Sequence, residues 1–523
     1  MNERLTRLAA SSRGAGPRVA LVSLYDVENN AVRLLAAILR QAGWTAVEIY
    51  FKDWISNHLA PPTGADLESL SRLLEEQQVH VVALSVRASA YFHVARRLTE
   101  HIHARHGLAV LWGGTHPTLV PEECIPHADI LLRGEGDLAL PDLCRRLAAG
   151  EPVTDVQNLW LDQGADPPVQ NALRPLVCDL DQLPFRDFCS HDQKFLILGR
   201  EVHRGDPMRH DPVFQMMASR GCLYRCAYCY NSTFKKEIYP GQRWYRHRSV
   251  ESTLAELRAA RTQRRIKRVR FDDEVFVFQK AWFQEFCERY PREIGLPFEV
   301  FVEPKLVTEE RIGALKRAGL AGVYMGVQAT ARVNAGLYDR YDKDERVAEV
   351  ARVFSRHGVY PHYQLIFDDP ETTEEDLRAL FDLVASFPPP FDLYLFSITY
   401  FPGSEISKKL LADGRLSPYE IEGADNARTF YQHRVNLEYP RRVEETFWIS
   451  LIQLLSKRFV PRPAVYALTR SAFLRRHPWP LIQVAHGANY VKLGAAAAEL
   501  LVRGELTPTL IHRWLDFSRV VTS

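Results

Sequence analysis

Continuous apolar runs alternate with amphipathic stretches through most of the chain. Val19-Ala-Leu-Val-Ser-Leu24 has no polar break except one serine, the pattern of a strand covered on both faces. Val32, Leu35 and Leu39, with Leu34 and Ile38 beside them, then recur at helical spacing and stop at Gly43. Further strands are predicted at Ala46 to Phe51, Val79 to Val86, Leu108 to Trp112 and Ile130 to Leu132. Helices carrying Leu67, Leu70 and Leu74, and running from about 90 to 105, lie between them. Such alternation predicts an α/β fold that opens with a doubly wound parallel sheet over residues 18–150, after a polar tail at 1–17. Sheets of this kind take ligands beyond the carboxyl ends of their strands.

Residues 151–205 carry Pro152, Pro167, Pro168, Pro175 and Pro184 with little periodicity and read as a connector. The alternation then restarts, with strands predicted at Val213 to Ser219, Val269 to Asp272, Phe298 to Val302, Gly322 to Val327, Tyr360 to Phe367 and Leu393 to Thr399. Six βα units within 206–420 predict a partial (β/α)6 barrel, not a closed eight-stranded one. Beyond 420 the strand signal fades, and Phe447, Leu451, Leu454 and Leu455 keep helical spacing, so 421–523 is expected to be mainly helical.

Composition narrows the class. With 66 Lys plus Arg against 64 Asp plus Glu, 46% hydrophobic and 25% charged residues, the 523-residue chain is an ordinary multi-domain globular protein, not a cationic nucleic-acid wrapper. The basic run Arg264-Arg265-Ile-Lys267-Arg268-Val-Arg270 straddles a helix end and a strand start, where cations complement the helix dipole and face water. Nucleic acid is not an expected partner. The N-terminal residues lack an apolar h-region, and no apolar run reaches the roughly 18 residues of a membrane span, so a cytoplasmic location is expected.

Eight cysteines are too few for a disulfide scaffold, yet three of them crowd together after the first strand of the second α/β region. The segment is Ser219-Arg-Gly-Cys222-Leu-Tyr-Arg-Cys226-Ala-Tyr228-Cys229-Tyr-Asn231. Three thiolates on one loop can ligate three corners of a four-iron cluster and leave one iron for a small chelating ligand. Structural zinc is the alternative, but it needs four closed ligands, and the next cysteine is as far away as Cys287.

The Cys-x3-Cys-x2-Cys spacing, with aromatic Tyr228 before the last cysteine, resembles the radical S-adenosylmethionine superfamily. The resemblance implies a 4Fe-4S cluster on Cys222, Cys226 and Cys229 whose open iron chelates S-adenosylmethionine, and one-electron reduction to a 5′-deoxyadenosyl radical. Asp273, in Phe271-Asp-Asp-Glu-Val-Phe276, stands where the family often places Gly-Gly-Glu to receive the methionine amino group. Tyr324-Met-Gly-Val-Gln328 is similar to the family's segment near the ribose, with Gln328 able to bond a hydroxyl through either end of its amide. Gln364-Leu-Ile-Phe-Asp368-Asp369-Pro-Glu-Thr372 looks like the family's Gly-x-Pro-Gly-Glu-Thr turn without its glycines, and Gln364 is a candidate cofactor contact. Helix capping is the competing reading for Asp368, Asp369 and Thr372. Tyr400-Phe-Pro402-Gly403-Ser404 matches a further family turn.

A doubly wound domain placed before such a barrel resembles the cobalamin-dependent subclass, which implies a Rossmann-like cobalamin-binding domain at 18–150. Three strand-end loops carry this resemblance: Ser85-Val86-Arg87, Gly113-Gly114-Thr-His116-Pro117 and Arg133-Gly134-Glu135-Gly-Asp137. Paired glycines let a backbone approach a bulky ligand. The first loop is Tyr25-Asp-Val-Glu28-Asn-Asn-Ala31, and laid on the Asp-x-His-x-x-Gly of proteins that ligate cobalt from below, Glu28 takes the histidine position. Cobalamin is therefore expected without that histidine, its lower face open or covered by a nonligating side chain such as Tyr25. His116 is a second candidate, with a structural loop histidine as the competing reading.

The resemblance implies a cobalamin-dependent radical S-adenosylmethionine methyltransferase acting on an unactivated carbon of a small molecule or peptide, with the pocket expected at the domain interface. An electron donor such as flavodoxin or ferredoxin is an implied partner. Oxidative cyclisation or rearrangement, as in the anaerobic magnesium-protoporphyrin ester cyclases, is the alternative on the same architecture. Methylthiolation ranks lower because the first domain offers only Cys124 and Cys144, and a non-catalytic corrinoid carrier completes the set. Tyr394, Phe396, Tyr400 and Phe447 are aromatics to watch near the barrel mouth, each with core packing as the competing role.

Overall fold

The computed structural model describes residues 2–53, 61–162, 164, 167–418 and 441–502. By packing, the chain divides into two compact units, one gathering 1–212 with 229–266 and 400–427, the other 213–228 with 267–399 and 428–523.

In the first unit a nine-stranded sheet is built on a parallel core. Its strands are β1 (Val19–Leu24), β2 (Ala46–Phe51), β3 (Val81–Ser85), β4 (Ala109–Gly113), β5 (Ile130–Leu132), β6 (Leu159–Leu161), β7 (Val169–Gln170), β8 (Lys194–Leu198) and β9 (Glu201–Arg204). The order is β7-β6-β5-β4-β3-β1-β2-β8-β9, with β6, β7 and β9 antiparallel to their neighbours at the edges. Alternate residues of one strand serve opposite cores: Ala20, Val22 and Leu24 pack with helices 64–76 and 92–106, whereas Val19 and Leu21 pack with helices 30–41 and 139–149. Apolar residues on both faces require helices on both faces, which is the doubly wound arrangement. The helix 30–41 ends two residues before Gly43, whose φ of +86° takes the left-handed conformation glycine tolerates.

Two expectations need correction. Residues 151–205, read as a connector, contribute β6, β7, β8 and β9 to this sheet. These strands are short and flank the core, where proline-rich sequence is compatible with pairing. The 1–17 tail contains a helix, Glu3–Ser12, capped by the Asn2 side chain and held by Leu5 and Leu8, each 2% exposed.

The second unit holds an open sheet of six parallel strands in sequence order: β10 (Val213–Met216), β11 (Arg268–Phe271), β12 (Phe298–Val302), β13 (Leu320–Gln328), β14 (Tyr360–Phe367) and β15 (Asp392–Ser397). One face, with Val269, Phe271, Val300, Val323, Met325, Tyr363, Leu365, Leu393 and Leu395, is buried and apolar. The other carries Arg270, Glu299, Phe301, Tyr324, His362, Gln364, Tyr394 and Phe396. Across neighbouring strands Phe301, Tyr324 and His362 stack, with centroids 4.7 Å and then 4.5 Å apart. The sheet thus has a greasy back for helices and a polar, aromatic front.

Helices 443–455, 462–468, 472–476 and 479–502 bear out the helical C-terminal region, while residues 421–440 and 503–523 of that prediction lie outside the described residues. Phe447 is fully buried, so it serves the core. Among the described residues no helix is long and apolar enough to cross a membrane.

Candidate functional site

In the first unit the carboxyl ends of the parallel strands bring the predicted loops into one hydrogen-bonded assembly. Asn29 caps helix 30–41 through its side-chain oxygen, and its amide donates to Ser23 Oγ at 3.0 Å and to Ser85 Oγ at 3.1 Å. Val86 is fixed by its backbone, its N–H donating to Gly113 O at 2.7 Å and its carbonyl accepting from His116 N at 3.1 Å. Arg87 reaches Asp26 at 3.2 Å, and burial raises the Asp26 carboxyl above its ordinary value. The backbone N–H of Glu28 donates to the same Asp26 side chain at 2.9 Å.

Tyr25 is fully buried, with φ +51°, its ring stacked on Tyr91 at 6.2 Å and edge-on to Phe51 at 6.4 Å. His116 is 2% exposed, bonded through Nδ1 to Ser89 Oγ at 3.0 Å and packed edge-on against Phe92. Burial lowers its pKa to about 4, so it is neutral at pH 7, and its Nε2 is buried without a hydrogen-bond partner.

The glycines divide by role. A Cβ on Gly114, whose φ is +115°, would lie 2.8 Å from Val86 O, and one on Gly134, φ +70°, would lie 1.8 Å from Tyr239 Oη. Both are therefore demanded by the chain's own packing. Only Gly113, where a Cβ would meet nothing nearer than 3.7 Å, leaves ordinary room. Glu135 is likewise engaged by protein: its N–H donates to Tyr239 Oη at 3.2 Å, and its carboxylate pairs with Arg246 at 2.8 and 2.9 Å. Arg246 is 1% exposed and also donates to Val177 O and Trp244 O. The segment following Cys229 is thereby anchored on the Gly134-Glu135 loop. Sequence reasoning missed Tyr239 and Arg246, and no motif marks them.

The cysteine loop follows β10, with Cys222 and Cys226 in the second unit and Cys229 opening a segment of the first. Cys222, Cys226 and Cys229 are all half-buried. Burial pushes the Cys222 thiol up to about 11, so a metal must displace a proton to bind there. The loop is clasped from the segment after helix 331–336: Ala227 N donates to Tyr338 O at 2.9 Å, and the Tyr228 and Tyr338 rings meet edge-on at 5.2 Å. Arg340 donates to Cys226 Sγ at 3.8 Å and to Gly326 O at 3.0 Å. Within the first unit, Asn231 Nδ2 donates to Cys229 Sγ at 3.8 Å, and its own oxygen accepts from Trp244 Nε1 at 3.0 Å. N–H donors directed at sulfur suit thiolates that carry negative charge. Among the described residues no three Cys, His, Asp or Glu side chains are placed to hold a single metal ion. A cubane takes its three thiolates on three different irons, so the loop's donor set fits that group.

Asp273 is 1% exposed and accepts from Ser219 Oγ, while its Oδ2 is buried without a partner. Burial raises its pKa to about 7. Gln328 closes β13 with φ +64°, and its amide folds over Gly326, where a Cβ would fall 2.4 Å from Nε2. Gln364 lies half-buried on the polar face of β14 beside Tyr394 of β15. Asp369 holds its own turn and does not cap the helix, contrary to the capping alternative: its carboxylate accepts from Glu371 N and Thr372 N, at 3.0 and 2.8 Å. Helix 374–385 is capped one residue on, by Thr373. Asp368 pairs with Arg441 at 2.8 Å.

The basic run is the solvated face expected of it at Arg265 and Arg268, which are exposed, but not at Arg264. Arg264 is 7% exposed and donates to Met208 O at 2.6 Å, with burial lowering its pKa to about 10, and Arg270 pairs with Asp272 at 2.6 Å. Cys124 and Cys144 are buried in separate cores on opposite faces of the first sheet.

Comparison with known proteins finds two domain matches in the chain. A family model described as the B12 binding domain matches residues 17–144, and one described as the radical SAM superfamily matches residues 216–384. An uncharacterized methyltransferase of Pyrococcus horikoshii is 24% identical over 66% of this chain and 72% of its own length. The anaerobic magnesium-protoporphyrin IX monomethyl ester cyclase of Cereibacter sphaeroides is 22% identical over 79% of this chain and 68% of its own. Among solved structures, the radical S-adenosylmethionine methyltransferase TsrM of Kitasatospora setae, with cobalamin and a [4Fe-4S] cluster bound, superposes with a TM-score of 0.61 at 16% identity. That match covers 90% of this chain and all of that one.

Proposed function

The chain belongs to the cobalamin-dependent radical S-adenosylmethionine proteins, and from that premise we propose that it methylates an unactivated carbon. When bound, the cluster with S-adenosylmethionine supplies a hydrogen-abstracting 5′-deoxyadenosyl radical, and the corrinoid supplies a methyl carrier. The observation that carries the reading is the combination of a B12-binding match and a radical SAM match in one chain whose relatives include a named methyltransferase.

In this reading Cys222, Cys226 and Cys229 hold the cluster, and Tyr338 and Arg340 hold the loop that presents them. Asp273 offers its buried, partnerless Oδ2 as an acceptor for an ammonium group, which would also stabilise its ionised form. Gln328 presents an amide, and Gln364 lines the polar face of the half-barrel. Orienting groups of this kind matter because misplacement of reacting atoms by about 1 Å costs on the order of 100-fold in rate. In the first unit Ser85, Val86, Gly113 and His116 are the corrinoid contacts. Gly134 and Glu135 act on the loop's own conformation. No histidine is present between Tyr25 and Ala31 to ligate cobalt, and Tyr25 is buried beneath Tyr91. Radical chemistry of this type needs a low-potential one-electron donor such as flavodoxin or ferredoxin, and the substrate is a small molecule or peptide.

The cyclase relative, matched over 79% of this chain, favours oxidative cyclisation as the second reading. Anaerobic reconstitution with iron, sulfide and hydroxocobalamin, followed by product mass spectrometry, separates the two. Methylation adds one methylene per turnover and yields both 5′-deoxyadenosine and S-adenosylhomocysteine. Loss of hydrogens without S-adenosylhomocysteine overturns it in favour of cyclisation.

A further inference from the structure

Arg340 lies outside every motif, yet it stands at the junction of two. One guanidinium nitrogen, Nη1, is 3.8 Å from Cys226 Sγ, and the other, Nη2, donates to Gly326 O at 3.0 Å. Nη2 also faces two buried carboxylates, Asp342 at 3.4 Å and Glu303 at 3.6 Å. The side chain is 10% exposed, and both carboxylates are 5% or less. A guanidinium does not lose its proton in proteins, so this is a fixed positive charge set against sulfur in a poorly screened place.

We propose that Arg340 is a positioning residue that raises the reduction potential of the cluster on Cys222, Cys226 and Cys229, while tethering Cys226 to Gly326 near the end of β13. The inference rests on the cluster assignment above. Uptake of one electron makes a thiolate-bound cubane more negative by one charge. A nearby cation and an N–H directed at a ligating sulfur both favour the reduced form, and these are recognised levers on cluster potential. The neighbouring carboxylates oppose the same effect. Asp342 is the sharper probe of the two, because its Oδ1 is buried without a partner and asparagine preserves its shape. Lysine would keep the charge and lose the fork that reaches sulfur and carbonyl together.

The test is an anaerobic redox titration of the reconstituted full chain, followed by electron paramagnetic resonance of the reduced cluster, with iron and sulfide counted in each sample. Relative to the parent, Arg340→Gln is expected to shift the midpoint to a more negative value at unchanged iron content. Arg340→Lys is expected to fall between the two, and Asp342→Asn to shift in the opposite, positive direction. Coincident midpoints, or a negative shift in Asp342→Asn, overturn the proposal. Should Arg340→Gln fail to take up iron, the sign of the Asp342→Asn shift still decides. Absence of a cluster signal in the parent would instead refute the cluster assignment, so the two failures are distinguishable.

Discussion

Replacing Glu135 by alanine takes the acceptor away from a guanidinium that is 1% exposed. In the native fold Arg246 gives two hydrogen bonds to that carboxylate, at 2.8 and 2.9 Å, and keeps Val177 O at 2.9 Å and Trp244 O at 3.2 Å. Breaking a buried ion pair by removing one partner costs about 3–5 kcal/mol. The Glu135 side chain retains 19% exposure and Arg246 keeps its two carbonyl acceptors, which places Glu135→Ala at the lower end, about 3 kcal/mol. The loss is local, since Arg246 anchors the segment after Cys229. Hydrogen exchange by mass spectrometry over residues 234–247 is the direct assay, and about 3 kcal/mol appears there as roughly 100-fold faster exchange. Adding Arg246→Met removes the stranded charge, so the double variant should exchange more slowly than Glu135→Ala alone, with a coupling of about 1.5 kcal/mol or more. Exchange within threefold of the parent, accompanied by loss of corrinoid binding, would refute the structural role and return Glu135 to direct ligand contact.

Gly134→Ala forces a Cβ onto Tyr239 Oη at φ +70°, and the left-handed conformation alone costs about 1–2 kcal/mol. A lowered Tm is expected, with less than additive loss when Tyr239→Phe removes the clashing oxygen. For Asp273, burial raises the folded pKa to about 7, well above the ordinary aspartate value of about 4, so the folded state holds the proton more tightly. Its contribution is fully present below pH 4 and is lost as pH rises to 7, by as much as about 4 kcal/mol. In urea unfolding of the metal-free protein, Asp273→Asn should gain stability relative to the parent across that window, and a pH-independent difference would contradict the burial argument. Cob(II)alamin bound to the protein should lack strong nitrogen superhyperfine coupling in its electron paramagnetic resonance spectrum, because no histidine lies between Tyr25 and Ala31.

Where strands lie inside a sheet and bury at least one whole face, the hydrophobic pattern alone located the elements. Val19–Leu24, Ala46–Phe51, Phe298–Val302 and Tyr360–Phe367 are strands to the residue. Edge strands carry no such imprint, which is why β6 to β9 were hidden in a proline-rich stretch. The cysteine spacing was legible because a cluster dictates residue type and order locally. Its supports were not, since Tyr338 and Arg340 reach Ala227 and Cys226 from more than a hundred residues away, and nothing in their neighbours announces the contact. Glycines misled for a related reason: Gly114 and Gly134 signal close approach, but the approaching atoms, Val86 O and Tyr239 Oη, belong to the protein. Charge patterning failed at Arg264, because a cation flanking a short strand can turn inward when a carbonyl such as Met208 O is there to receive it.

The central claim is a cubane on three thiolates with one iron open to S-adenosylmethionine. Electron paramagnetic resonance of anaerobically reconstituted, reduced protein, recorded before and after addition of S-adenosylmethionine, tests it most directly. The account predicts a reduced four-iron signal that changes when S-adenosylmethionine is added and disappears when Cys222, Cys226 or Cys229 is replaced by alanine. A signal indifferent to S-adenosylmethionine, or one that survives loss of any of these cysteines, would contradict it.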